Sequence, residues 1–67
     1  MYIKSRNLKP GDKVNFHEYG WETVLSVKRH GYDGTKVLVD GQNGKREIIF
    51  YPRFDRLEFI CEGIYTI

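Results

Sequence analysis

The chain has 67 residues, with 11 Lys or Arg against 9 Asp or Glu, 40% hydrophobic and 15% aromatic side chains, and a formal charge of +2. This is one small domain, residues 1–67, too short to divide in two, and its net charge by itself names no partner. Cys61 has no intrachain partner, and with His17 and His30 it makes no metal-ligand spacing, so the fold is expected to stand without disulfide, metal or cofactor.

Met1 to Asn7 lacks the apolar core of a signal peptide, and no apolar run approaches the roughly 18 residues of a membrane span. Together with the lone thiol, this points to the cytoplasm. From Lys9-Pro10-Gly11-Asp12 onward, turn signals recur at short intervals, at Tyr19-Gly20, His30 to Gly34, Asp40 to Gly44, Tyr51-Pro52 and Glu62-Gly63. The segments between them have strand length, and alanine is absent.

The first strand is predicted from Asp12 to Glu18, with Val14 and Phe16 inward and Lys13, Asn15 and His17 outward. The second runs from Trp21 to His30, with Leu25 and Val27 on one face and Val24, Ser26 and Lys28 on the other. Its length predicts a bend of the kind that curls a sheet into a barrel. The third, Thr35 to Asp40, turns Val37 and Val39 inward, and the fourth, Lys45 to Tyr51, does the same with Ile48 and Phe50. Asp40-Gly41-Gln42-Asn43-Gly44 joins these two as a hairpin.

Arg53-Phe54-Asp55-Arg56 is too short for an α-helix and too polar for a buried strand, which predicts a single helical turn. In the fifth strand Leu57, Phe59 and Cys61 alternate with Glu58, Ile60 and Glu62, so Cys61 is expected to be buried. The tail of residues 63–67 is apolar enough to add a further short strand or to meet a second copy of the chain. The predicted fold is therefore all-β: a small, strongly bent, five-stranded antiparallel barrel with a one-turn helix before the last strand and a core over about residues 8–61.

Leu8 to Val14 reads Leu-x-Pro-Gly-Asp-x-Val, Trp21 leads the second strand, and Val37-x-Val39-Asp40-Gly41-x-x-Gly44 precedes an apolar strand and Leu57. In these features the chain resembles the Src-homology-3-like and Tudor-like small β-barrels. The resemblance implies a binding surface built from the loop after the first strand, the next hairpin, and the end of the fourth strand. It also implies a choice among nucleic-acid binding, peptide binding and methylated side-chain recognition. Gly11 to Val14 and Tyr51-Pro52 are similar to the barrel-type dihydrofolate reductases as well. There, however, Ile49 stands where that family has a glutamine, and Phe16 where its pore lysine aligns. No nucleophile set, carboxylate pair or phosphate loop is present, so the chain reads as a non-enzymatic module.

Tyr19, Trp21, Tyr32, Tyr51 and Phe54 fall at the implied binding surface, with Trp21 and Phe54 able equally to close the core. If Lys28, Lys45, Arg46, Arg53 and Arg56 converge beside Tyr32 and Tyr51, the outcome is a phosphate-binding stripe interleaved with stacking rings, suited to sequence-tolerant nucleic-acid binding. The alternative is a protein-interaction module that takes a peptide, a methylated side chain or an edge-strand partner, or assembles with itself. Whether cations or carboxylates ring the aromatic residues separates the two.

Overall fold

Alternating β-branched and polar residues build the longest strands, and glycine-containing turns reverse them. The structure, a computed structural model, describes residues 1–67. It contains β1 (Tyr2–Ile3), β2 (Lys13–Asn15), β3 (Trp21–His30), β4 (Gly34–Gly41), β5 (Gly44–Phe50), β6 (Leu57–Cys61) and β7 (Ile64–Thr66), with one-turn 3-10 helices at Ser5–Asn7, His17–Tyr19 and Pro52–Phe54. No helix is long and apolar enough to cross a membrane.

All seven strands form one sheet in the order β1-β6-β7-β2-β3-β4-β5. Every pairing is antiparallel except β2 with β7. The all-β class is as expected, but the closed five-stranded barrel is not what forms: the sheet stays open, with β1 and β5 as free edges. The two additional strands come from the chain ends. The apolar tail becomes β7, inserted between β6 and β2, with Tyr65 in the core and only Ile67 of its apolar residues exposed. Residues 64–66 of the tail are thus built into the sheet.

The core consists of Leu8, Val14, Phe16, Val24, Val37, Val39, Phe50, Leu57 and Tyr65, with Ile3, Val27, Ile48 and Phe59 packed against it. Ring pairs tie its two halves together, Phe16 to Phe50 at 6.4 Å and Phe59 to Tyr65 at 5.9 Å between centroids. Trp21 and Phe54 take no part, being 51% and 76% exposed.

Three local departures from simple alternation have visible causes. The first strand stops at Asn15, whose Oδ1 accepts the His17 N–H at 3.1 Å and starts a turn in which His17 takes φ 49°. The helical turn lies at Pro52–Phe54 rather than at Arg53–Arg56, because Pro52 presets its first φ and Asp55 is drawn inward. Cys61 is exposed, since the register slips between Phe59 and Cys61 and turns the thiol outward.

One ion pair braces the strands beneath this core. Glu22 on β3 is 3% exposed at its side chain and accepts two bonds from Arg46 on β5, from Nε at 3.1 Å and from Nη2 at 2.6 Å. Gly41 on β4 lies between them: a Cβ there would come within 2.6 Å of the Glu22 side chain. Tyr19 covers the guanidinium at 3.6 Å from its ring centroid. The hydrogen bond to the Glu22 carboxylate raises the Arg46 pKa above its ordinary value, so the stabilisation is complete below that value and is lost only in strong alkali.

The two partners differ in access to water, and their removal should differ accordingly. Arg46→Met strands a buried carboxylate and is expected to cost about 3–5 kcal/mol in denaturant unfolding. Glu22→Leu leaves a guanidinium that is 25% exposed and can reach water, so its cost should be smaller. Equal losses, or a larger loss for Glu22→Leu, would show that the buried carboxylate is not the costlier partner to strand.

Candidate nucleic-acid interface

The candidate site is set by a bulge in β3. The register with β4 slips between Val24 and Ser26, so Leu25 is an extra residue in the strand. Val24 and Val27 both turn to the core, while Leu25, expected beside Val27, faces outward. Downstream of the slip, Arg29 stands opposite Thr35, which in turn stands opposite the core residue Phe50.

The hairpin then closes tightly. Gly34 pairs with His30, and a Cβ at Gly34 would lie 2.6 Å from the His30 carbonyl oxygen, which excludes larger residues. Tyr32 occupies the turn and is 86% exposed. Arg29 donates from Nη2 to the Tyr32 carbonyl at 3.3 Å, linking the guanidinium to the turn that carries the ring.

The third contributor comes from far away in sequence. The Ser5 N–H donates to Oδ1 of buried Asp55 at 2.5 Å, which fixes the Ser5–Asn7 turn against the body. Arg6, next in the chain, thereby reaches the hairpin end. There Arg6, Lys28, Arg29, Tyr32, Asp33 and Thr35 line a cleft of about 360 Å³.

Its electrostatics are unbalanced, because three cations face one carboxylate. The side-chain ion pairs of the protein are Lys36–Glu47 at 3.9 Å and Arg46–Glu22, so none of the cleft cations is neutralised by a salt bridge. Lys28 also borders a depression of about 110 Å³ with Ser26, Lys36, Leu38 and Glu47.

Of the residues expected to converge, Lys28 and Tyr32 do so. Tyr51 is exposed near them, its ring edge-on to His30 at the base of the hairpin with 6.5 Å between centroids. Lys45 pairs with Asp40, whereas Lys28 pairs with Lys36, a separation of about 13 Å along β4. Arg46 is tied to Glu22 beneath Tyr19, and Arg56 stacks 4.1 Å above the Tyr2 ring, so neither joins the stripe. Arg53 and Phe54 are exposed on the last 3-10 turn, and Trp21 is exposed opposite Asn15. Arg6 and Arg29 complete the cluster instead. Their basic character was visible in the sequence, but their convergence depends on the bulge and on the Ser5–Asp55 bond.

No group of three or more His, Cys, Asp and Glu residues is placed to hold a metal ion. Comparison of the chain with family models, with curated proteins and with solved structures finds no match.

Tyr32 and Tyr19 should respond differently to truncation. Tyr32→Ala removes an exposed ring and is expected to leave unfolding free energy within about 0.5 kcal/mol of the parent. Tyr19→Ala uncovers the Arg46 guanidinium and should cost at least about 0.5–1 kcal/mol. Parallel denaturation curves check the contrast.

Proposed function

We propose that this protein is a non-enzymatic module that binds single-stranded nucleic acid with little sequence preference, using the hairpin end of β3 and β4. The observation that carries the reading is the makeup of the cleft: cations, not carboxylates, predominate around the most exposed ring in the protein. Arg6, Lys28 and Arg29 supply phosphate contacts, and Tyr32 offers a face to any base, because every base has a π surface. The resemblance of Leu8 to Val14 and Val37 to Gly44 to Src-homology-3-like and Tudor-like barrels supports this use of a strand-end surface, although the sheet here has seven strands and stays open.

A protein-interaction reading has one observation of its own. β5 is a free edge of seven residues, to which an extended peptide could add a strand. Its exposed Lys45 and Glu47 are the kind of charges that guard an edge against such pairing, which favours the nucleic-acid reading.

Fluorescence anisotropy with short labelled single-stranded DNA and RNA, at about 50 and 200 mM salt, tests the proposal. Binding should weaken as salt rises, and Arg6→Ala and Arg29→Ala should each weaken it at both salts and flatten the salt slope by about 0.7. Lys45→Ala should leave it unchanged. Absence of salt-sensitive binding at the lower salt overturns the reading.

A further inference from the structure

The cleft volume of about 360 Å³ lies at the small end of the range of about 300–1,000 Å³ for pockets that hold one compact ligand. The stacking surface beside it is also single. Tyr32 is the one aromatic ring in the lining of the cleft, and no ring or guanidinium stacks on it; Tyr19 and Tyr2 carry Arg46 and Arg56, and Tyr51, Trp21 and Phe54, though exposed, lie outside that lining. The adjoining depression of about 110 Å³ is bordered by Lys36 and Glu47, already paired with each other. Modules that track about 4–16 nucleotides lay several rings along a charged groove. Here one ring lines one cleft.

We propose that the hairpin end is a one-nucleotide site whose ligand unit is a nucleoside monophosphate. The phosphate lies between Arg6 and Arg29 with Lys28 at the rim, and the base stacks on Tyr32. Asp33, the single carboxylate of the cleft, accepts a hydrogen bond from a ribose hydroxyl or a base amino group. This inference rests on the nucleic-acid reading and narrows it to a site size and a ligand class.

Titration calorimetry on the full chain tests it with AMP, adenosine, ribose 5-phosphate, inorganic phosphate and oligoadenylates of two to eight nucleotides. AMP should bind, with adenosine, ribose 5-phosphate and inorganic phosphate each weaker by about tenfold or more, since each lacks either the stacking or the charge contact. Lengthening the oligoadenylate should raise affinity only by the number of equivalent sites, and the log–log salt slope should be no steeper than about −2, from three cations at about 0.7 each. Tyr32→Ala should lower AMP affinity by about tenfold while Tyr32→Phe retains it, with unchanged circular dichroism for both.

Affinity that climbs steeply with length while AMP fails to bind overturns the one-nucleotide site and leaves nucleic-acid binding standing. Inorganic phosphate matching AMP reduces the cleft to an anion site and overturns the nucleotide assignment. Failure of both AMP and the oligonucleotides to bind overturns this inference together with the reading beneath it.

Discussion

The extra residue at Leu25 is the constraint on which the rest of the molecule turns. Side chains on a strand alternate faces, so one inserted residue exchanges inside and outside for everything that follows. Without it, the face that buries Val24 would carry Ser26 and Lys28 inward and leave Val27 in water. A lysine without a partner in so small a core would cost several kcal/mol, a large fraction of the stability available to a domain of this size. With the insertion, Val24, Val27, Val37 and Val39 share the core side, and Arg29 arrives at the strand end beside Thr35. The same bulge increases local twist, which helps a single sheet curve around its own apolar face. Core formation and placement of the cleft are therefore two results of one register shift.

Charge is divided between brace and surface. Glu22 and Arg46 hold β3 and β5 together across the bare backbone of Gly41, and Asp55 holds the Ser5–Asn7 turn against the body. Arg56 is engaged with the Tyr2 ring and Lys36 with Glu47. These contacts give several surface cations a structural partner. What remains uncommitted at the hairpin end is a small group, but it is a group of one sign gathered around one ring. A binding reading built on the whole list of basic residues would have counted Arg46 and Arg56, whose charges are already directed elsewhere.

How much of this could be read from the sequence depends on the range of the interactions. Alternation and turn residues located β3, β4, β5 and β6 to within a residue or so, because hairpins are specified locally. The parallel pairing of β7 with β2, and β1 at the opposite edge, join residues about fifty positions apart and leave no local pattern. In the site, Lys28 and Tyr32 were legible because they flank one hairpin. Arg6 was not, since it is delivered by a bond between Ser5 and Asp55 across 50 positions. Arg46 looked like a free surface cation because its partner Glu22 is 24 positions away. The bulge itself is hidden because Leu25 and Val27 are both apolar, so that simple alternation assigns them to one face.

The modest net charge bears on function through distance rather than through its total. The protein measures 30 × 27 × 20 Å, while the Debye length in about 0.1 M salt is roughly 10 Å. An anion at the hairpin end is therefore separated from charges at the far side of the molecule by two or more screening lengths. It responds mainly to Arg6, Lys28, Arg29 and Asp33, a local excess that equals the formal charge of the whole chain. The distant acids that bring the total down to +2 contribute little there, and the distant bases contribute just as little. A chain of nearly balanced composition can thus present one strongly cationic end, provided its other charges are held away from it, and the Glu22–Arg46 brace together with the register of β3 accomplishes that separation.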